Sequence, residues 1–189
     1  MKNIIYSIIT MSIILLMFTT EVYAYENSTY KIDIPNNYFE MGNEYIKFFM
    51  KDEHNMICVS SIEAKKNRDI ASLSNTELKE FISEFENSIK GNIQIIDKEN
   101  GKLGKTKALH LSVLKDGVYG DLYFMSSNKH YLTVLFLSEN KEDLNSAEFI
   151  KIKNSFKMKE KFIDVKKIAG VGVLLIIVLI GFIKKREKA

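Results

Sequence analysis

Alternating apolar and polar residues predict three β-strands in the first third of the chain. The first strand alternates Tyr30, Ile32 and Ile34 with polar residues and stops at Pro35. This two-residue period is typical of a strand with one buried face. Two further extended runs flank a polar loop, so they predict a hairpin. The three predicted strands are residues 30–34, 45–50 and 56–62.

A helix is predicted next, because the apolar residues no longer alternate with polar ones and instead recur every three or four positions. Ser74 and Glu77 have the spacing of a capping box, in which each side chain bonds to the other residue's backbone. Gly91 follows as a helix stop. Between them the apolar residues form one stripe about 100° wide, which predicts a core-facing helix rather than a cofactor groove. The stripe consists of Leu78, Phe81, Ile82, Phe85 and Ile89.

The second half of the chain predicts an antiparallel meander and a closing helix. Asn100-Gly101 and Asp116-Gly117 are tight-turn signals between extended runs. The last run, residues 131–137, is apolar on both faces, so both sides of the sheet must be covered there. The predicted elements are strands at 93–96, 105–114, 118–126 and 130–138, and a helix at about 141–156.

These elements predict an α+β fold with an antiparallel sheet of about six to seven strands and helices packed on it. Ile34-Pro35, the strand beginning Tyr131-Leu132-Thr133 and the closing Asn154-Ser155-Phe156 resemble the PsbP-like alpha/beta/alpha sandwich. That group includes extrinsic photosystem subunits and bacterial envelope lipoproteins of the DcrB type. The resemblance covers about residues 29–158 and implies a small non-enzymatic module that assists assembly or binds a partner. This chain departs from the group in having a predicted C-terminal membrane span instead of a lipid anchor.

An apolar run at residues 4–18 predicts export of the chain. The basic Lys2 precedes this run, and Val22-Tyr23-Ala24 follows it with residues that signal peptidase accepts. The pattern predicts a signal peptide at residues 1–24 that is cleaved after Ala24. An uncleaved N-terminal anchor is the alternative. In either case residues 25–158 are predicted to form an extracytoplasmic domain.

A second apolar run, at residues 168–183, predicts a transmembrane helix. The run gives roughly 24 Å of helix, shorter than the roughly 30 Å hydrocarbon core, and flanking lysines can snorkel to the headgroups. Pro35 is the only proline, so the chain has no Leu-Pro-x-Thr-Gly motif for attachment to a cell wall. The predicted topology is an external domain, a lysine-rich tether at 159–167, the membrane span, and a basic cytoplasmic tail at 184–189.

The charge of the predicted domain argues against a nucleic-acid partner. The whole chain has a formal net charge of +3, but residues 25–165 hold 20 Lys and Arg against 22 Asp and Glu. Phosphate binding needs clustered cations over the contacting face. Only the stretch at 151–167 is strongly cationic. We expect it to remain solvated and contact lipid headgroups, with a docking strip for an acidic partner or anionic lipid as the alternative.

The sequence predicts no catalytic, cofactor-binding or metal-ligating residue. Cys58 is the single cysteine and lies inside a predicted strand, which indicates a buried thiol. No two histidines have the spacing of a metal pair, and each is expected to be solvated. The Gly104-Lys105-Thr106 segment lacks the earlier glycine of a phosphate-binding loop. No acidic pair is expected in an apolar cleft. The histidines are His54, His110 and His130.

These observations predict a membrane-tethered extracytoplasmic interaction or assembly module that is not an enzyme. Its expected partners are the lipid bilayer and an envelope protein, and no cofactor is predicted. A small-ligand or lipid-binding envelope sensor with a pocket between the sheet and a helix is the alternative. A hydrolase acting on envelope substrates is the third hypothesis. Heavy use of Lys, Ile and Asn, with one proline and no tryptophan, favours a Gram-positive bacterium as the source.

Overall fold

A computed structural model describes residues 22–63, 69–88, 93–127 and 129–159 of the chain. The predicted membrane span, the basic tail, and most of the predicted signal peptide and tether lie outside these residues. Among the residues that are described, no helix is both long enough and apolar enough to cross a bilayer.

The described elements are ten β-strands and two α-helices. In chain order they are β1 (Val22–Glu26), β2 (Tyr30–Pro35), β3 (Phe39–Gly42), β4 (Ile46–Met50), β5 (Asn55–Glu63), α1 (Asn75–Ser88), β6 (Gln94–Leu103), β7 (Thr106–Lys115), β8 (Val118–Ser126), β9 (His130–Ser138), α2 (Ala147–Ser155) and β10 (Lys157–Met158). Two short 3₁₀-helices, Ile70–Ser72 and Lys141–Asn145, precede α1 and α2.

The strands form two antiparallel sheets. The larger sheet has seven strands in the order β3-β4-β5-β9-β8-β7-β6, and the smaller has three in the order β1-β2-β10. The prediction of an α+β fold built on an antiparallel sheet is therefore confirmed. β1, β3 and β10 were not predicted, because each is short and none combines apolar alternation with a turn signal on both sides.

Three layers follow from the two apolar faces of the large sheet. On one face, α1 packs Phe81, Ile82 and Phe85 against the sheet. On the other face, the three-stranded sheet and α2 cover a second apolar cluster that includes Ile32 and Phe149. The central strand β9 contributes alternate residues to both clusters, as its sequence predicts.

The predicted start of α1 is confirmed in atomic detail. The Ser74 Oγ donates to Glu77 Oε2 at 2.8 Å, and the Ser74 N–H donates to the same carboxylate oxygen at 2.9 Å. The Glu77 N–H in turn lies 3.4 Å from Ser74 Oγ. Leu78 is partly buried beside the cluster that this helix covers. The last predicted residue of the stripe, Ile89, lies outside the described residues.

The tight turn predicted at Asn100-Gly101 is wrong. Both residues lie within β6 and pair with β7, where Gly101 is opposite Ala108. The strand continues because Leu103, which is 1% exposed, reaches the core three residues later. The turn instead falls at Gly104, whose φ of +57° lies in the left-handed region that glycine tolerates.

The single closing helix predicted at about 141–156 is divided into two segments. The 3₁₀-helix ends at Asn145, and α2 begins at Ala147 after the single residue Ser146. Ser146 caps α2, because its side-chain oxygen accepts a hydrogen bond from the Phe149 N–H at 3.3 Å. A serine side chain that binds the backbone in this way starts a new helix rather than continuing the previous one.

Two further predictions, the buried thiol and the cleavage point, can be placed on this fold. Cys58 is 0% exposed in the centre of the large sheet, so the prediction of a buried thiol is confirmed. The predicted cleavage point after Ala24 lies within β1, where Ala24 pairs with Asp33. Tyr23, on the inward face of that strand, packs against the cluster beneath the small sheet.

Candidate functional site

A cleft of about 500 Å³ opens between the large sheet and the segment that contains α2. Strands β6, β7 and β8 form its floor, and the 3₁₀-helix with α2 forms its other wall. The floor carries a cluster of polar side chains that includes His110, Ser112 and Asp121. Lys102 and Lys141 also line the cleft, so both signs of charge are present.

Strand register brings the polar residues of the floor together. Glu99 on β6 lies opposite His110 on β7, and His110 lies opposite Tyr123 on β8. Ser112, two residues after His110, lies opposite Asp121, which is two residues before Tyr123 on the antiparallel β8. Because alternate residues of a strand share a face, these side chains all project into the cleft. These residues are well separated in the sequence, so the sequence alone does not show that they lie close together.

Asp121 is the central acceptor of the cluster. Its Oδ2 accepts a hydrogen bond of 2.7 Å from Lys153 Nζ, and its Oδ1 accepts one of 3.1 Å from Ser112 Oγ. The His110 Nε2 lies 3.2 Å from the same Oδ1. Burial favours the neutral acid, but the hydrogen bonds and charges of His110 and Lys153 outweigh burial and lower the Asp121 pKa to about 2.

His110 lies between two carboxylates. Its Nδ1 is 3.2 Å from Glu99 Oε1, and its Nε2 faces Asp121. Because ionised carboxylates only accept hydrogen bonds, this geometry suits the doubly protonated ring. Burial disfavours that charged form, but the hydrogen bonds and charges of Asp121 and Glu99 prevail, so the pKa of His110 is raised. The ring also stacks on Tyr123, with centroids 4.4 Å apart.

Lys153 connects α2 to the sheet. Besides Asp121, its ammonium donates to the Leu144 carbonyl oxygen at 2.7 Å. The same nitrogen lies 5.2 Å from the centre of the Phe136 ring, where the aromatic face attracts a cation. The side chain is only 13% exposed, so the ion pair with Asp121 is screened less than a surface pair. Lys153 therefore fixes one wall of the cleft to its floor.

The cluster contains serine, histidine and aspartate, but they are not in the order of a nucleophilic relay. In such a relay the serine donates to the histidine, and the histidine donates to the acid. Here Ser112 Oγ and His110 Nε2 both approach the same oxygen of Asp121. No hydrogen bond joins Ser112 to His110 among the described contacts. The arrangement therefore neutralises charge and positions side chains rather than activating the serine.

Two isoleucines flank the mouth of the cleft. Ile96 belongs to β6 and is 41% exposed, and Ile150 belongs to α2 and is 45% exposed. A register shift between Ile95 and Asp97 makes Ile96 the additional residue of a β-bulge. Such bulges re-aim side chains at sheet edges. The cleft thus combines a charged floor with an apolar rim.

The other residues considered from the sequence lie elsewhere. His54 Nδ1 is 2.9 Å from Glu139 Oε2 on the protein surface. His130 begins β9 and is partly exposed. The Gly104-Lys105-Thr106 segment forms the β6–β7 turn, where Thr106 Oγ1 accepts a weak bond from the Met158 N–H at 3.4 Å. Within the described ranges, no three His, Cys, Asp or Glu residues are grouped so that they could hold a metal ion.

One sequence-based expectation about the site is wrong. His110 was expected to be solvated, yet its side chain is 15% exposed. The sequence also gave no sign that Glu99 and Asp121 lie on either side of that histidine. One signal could have indicated the cluster: Asp121 interrupts an otherwise apolar strand, and the neighbouring strand carries His110 and Ser112 at alternate positions.

Comparisons with known proteins bear on the fold. No protein-family model and no curated protein sequence matches the chain. The solution structure of cyanobacterial PsbP (CyanoP) from Synechocystis sp. PCC 6803 is similar, with a TM-score of 0.50 and 13% identity, covering 74% of this chain and 93% of CyanoP. A crystal structure from Bacteroides thetaiotaomicron VPI-5482 has a TM-score of 0.48 and 10% identity over 76% of this chain, which spans 50% of that protein's length. The likeness to CyanoP supports a PsbP-like fold for this chain.

Proposed function

We propose that this chain is a membrane-tethered extracytoplasmic binding module without catalytic activity. Its partner, an envelope protein, inserts a segment into the cleft. The observation that carries this proposal is the pair of exposed isoleucines, Ile96 and Ile150, on the rim of a cleft whose floor charges are already paired. Exposed apolar side chains around a polar centre are typical of interaction sites.

The position of the cleft suits a protein segment. β6 is the last strand in the order of the large sheet, so its outer edge pairs with no other strand in the part of the chain that the structure describes. An extended peptide can add to such an edge through backbone hydrogen bonds, while its side chains enter adjacent pockets. Ile96 lies on this edge strand and can contact the added peptide directly.

The polar cluster supports binding rather than catalysis. A general acid or base needs a pKa near the working pH and access to the proton that it moves. The Asp121 pKa is about 2, and its oxygens already accept bonds from three side chains. The Ser112 hydroxyl donates to this aspartate and not to a base. These groups are therefore committed to holding the cleft in shape.

Crosslinking in cells that produce the full chain tests the binding proposal. We expect one envelope protein to be recovered repeatedly with the wild-type chain, and recovery to fall about tenfold with Ile150→Asp, because a charge replaces an apolar contact. The matched control is Phe39→Asp, since Phe39 is 68% exposed on the opposite edge strand. Equal recovery with Ile150→Asp, or repeated failure to recover any envelope protein, would contradict the proposal.

A small-ligand sensor is the second candidate function, because the cleft volume of about 500 Å³ is that of an ordinary ligand pocket. Thermal-shift screening of the full chain in detergent would distinguish this candidate, since a ligand bound only to the folded form raises the melting temperature. Tyr119 lines the cleft, so a compound that raises the melting temperature of the wild type but not of Tyr119→Ala would favour the sensor. Failure of every compound would favour the protein partner.

The proposed location rests on the two apolar segments of the sequence and on the resemblance to the PsbP-like group, which includes bacterial envelope lipoproteins. We place the domain outside a Gram-positive cell, with residues 168–183 in the membrane and 184–189 inside. Protease added to intact cells without a wall is expected to digest the domain and spare the tail. A domain that becomes sensitive only after lysis would contradict this topology.

A further inference from the structure

Strand β6, which forms one edge of the large sheet, presents acids on its cleft face. Asp97 is paired with Ser112, and Glu99 is paired with His110, and both partners line the cleft. Directly paired residues of an antiparallel sheet project from the same face. Asp97 and Glu99 therefore both lie on the cleft face. The Glu99 side chain is 62% exposed although one of its oxygens contacts His110, so a further cation can approach it.

The opposite face of β6 presents lysines. Lys98 is paired with Leu111, which belongs to the cluster that α1 covers. Lys102 lies four residues further along the strand, so it projects from the same face. Both lysines are exposed. Lys102 also lies opposite Lys107 across the hairpin, an unfavourable pairing that an acid on its outer side would relieve.

This separation of charges by face disfavours pairing between two copies of β6. When two edge strands pair antiparallel about a two-fold axis in one continuous sheet, each residue meets a residue from the same face. The acids of one copy would then face acids, and the lysines would face lysines. Like charges in directly opposed positions destabilise a sheet. The edge is therefore suited to a strand of different sequence.

A strand whose charges alternate in the reverse order satisfies both faces of β6. It carries basic residues opposite the two acids and acidic residues opposite Lys98 and Lys102. A shift of one residue would move every side chain of the added strand to the other face. Bases would then meet lysines, and acids would meet Asp97 and Glu99. The alternation in β6 therefore specifies the register of an added strand as well as its charges.

Gly101 leaves room for a large side chain of such a strand. Gly101 is paired with Ala108, so two small residues lie side by side on the cleft face. A Cβ at Gly101 would come no closer than 3.8 Å to its neighbours, and the φ of this glycine is not positive. Neither crowding nor a left-handed backbone therefore requires glycine here. An aromatic side chain on a neighbouring strand can cover an edge glycine.

We propose that the β6 edge binds a segment of the partner protein that has alternating charges and one aromatic residue. The inference rests on the proposed function, in which a partner segment enters the cleft beside β6. All neighbouring strands of the large sheet are antiparallel, and the added strand is assigned the same direction. From its N-terminus the segment has an acid opposite Lys102, an aromatic residue opposite Gly101, a base opposite Glu99, an acid opposite Lys98 and a base opposite Asp97.

Two peptides of identical composition test the charge pattern. The first contains Asp-Phe-Thr-Lys-Glu-Lys and the second contains Lys-Phe-Thr-Glu-Lys-Asp, so all four charge pairings with β6 change sign. Fluorescence anisotropy measures the binding of each labelled peptide to the full chain in detergent. We expect the first peptide to bind about tenfold more tightly, and high salt to reduce the difference. Equal affinities, or no binding of either peptide, would overturn the proposal.

A charge-reversed variant of the chain gives the reciprocal test. Lys98→Glu, Lys102→Glu should bind the two peptides equally, because two of the four charge pairings then favour each peptide. The matched control is Lys79→Glu, Lys157→Glu, which changes two exposed lysines outside β6 and should keep the preference of the wild type. A preference that persists in the β6 variant would show that the first peptide binds elsewhere, and would overturn the proposal.

The aromatic position is tested through Gly101. Replacing phenylalanine by alanine in the first peptide should weaken binding to the wild-type chain about tenfold. The same replacement should weaken binding to Gly101→Val much less, because the valine side chain fills the space that the aromatic ring would occupy. Equal losses in the two chains would contradict the placement of the aromatic residue opposite Gly101.

Crosslinking in cells distinguishes failure of this inference from failure of the proposed function. Recovery of an envelope protein that depends on Ile150, together with equal affinities for the two peptides, would refute the charge pattern and leave the binding function standing. The expected peptide preference in a chain that recovers no envelope protein would support the β6 site and contradict the proposed function.

Discussion

At the scale of single residues, the buried charges of the cleft depend on one another. Asp121 is 8% exposed, and its carboxylate is stable there only because Lys153 and His110 compensate for lost hydration. Removing one member of a buried ion pair leaves the other charge unpaired, which costs more than the pair contributes. The cluster should therefore respond strongly to a change at its centre.

Asp121→Asn is expected to lower the free energy of unfolding by about 3 kcal/mol, because Lys153 then remains buried without a counter-charge. Denaturant titration of the full chain in detergent measures this change. Asp116→Asn is the matched control, since it lies in the exposed β7–β8 turn and should alter stability by less than about 0.5 kcal/mol. Similar losses for both variants would mean that the buried ion pair contributes little.

The titration of His110 gives a second residue-scale prediction. Its pKa is raised above the ordinary 6.5, so its midpoint by NMR should exceed that value and should fall when Asp121 is changed to Asn. A raised pKa stabilises the fold at pH values below 6.5, and the contribution disappears as pH rises through the folded pKa. A midpoint at or below 6.5 in the wild type would contradict the paired geometry.

Sequence reasoning failed for these residues for a physical reason. A histidine on the polar side of a strand is normally solvated. The alternation of apolar and polar residues along that strand does not indicate that a helix will cover its polar side. Lys153 reaches Asp121 from α2, 32 positions away in the chain. The burial of the cluster therefore depends on tertiary packing, which local alternation does not encode.

At the scale of elements, turns determine where the hairpins lie. The turn expected at Asp116-Gly117 is present, and both residues have positive φ, of 51° and 82°. The turn expected at Asn100-Gly101 is absent from that position, because the pairing of β6 with β7 continues to Leu103. Both dipeptides carry the same local signal, and the position of a buried leucine decides between turn and strand. Helix α1 was easier to predict, because its capping box and its apolar stripe both indicate the same helix.

Gly104→Ala and Gly117→Ala form a matched pair of turn variants. Both glycines have positive φ, which costs an L-residue about 1 kcal/mol or more. At Gly104 the new methyl group would also meet the Phe156 backbone, whereas at Gly117 it meets nothing within 4 Å. We expect Gly104→Ala to destabilise the chain by at least about 1 kcal/mol more in a denaturant titration. Equal losses would show that the turn does not pack against α2.

At the scale of the whole molecule, the layered architecture follows from one strand. Residues 131–137 are apolar on both faces, and the structure places α1 on one side of β9 and the small sheet with α2 on the other. The sequence therefore predicted that other elements pack on both faces of the sheet at this strand. It did not predict that a three-stranded sheet would pack on one of these faces, because β1 and β10 are too short to be recognised without their partner β2.

The start of the mature chain is testable through β1. Cleavage after Ala24 removes three of the five residues of this strand, including Tyr23, whose ring packs under the small sheet. A chain that begins at Val22 should therefore be more stable than one that begins at Tyr25, by about 1 kcal/mol from the apolar area that Tyr23 buries. Denaturant titration of both forms measures the difference. Identical midpoints would show that β1 needs only its last two residues.

The buried position of Cys58 has a practical consequence for spectroscopy. Burial raises the pKa of this thiol, so it stays protonated and poorly reactive at neutral pH while the domain is folded. A cysteine introduced at any exposed position would then be the only thiol that a maleimide dye or nitroxide modifies efficiently. Site-specific labels can thus be attached to the native chain without first replacing its own cysteine.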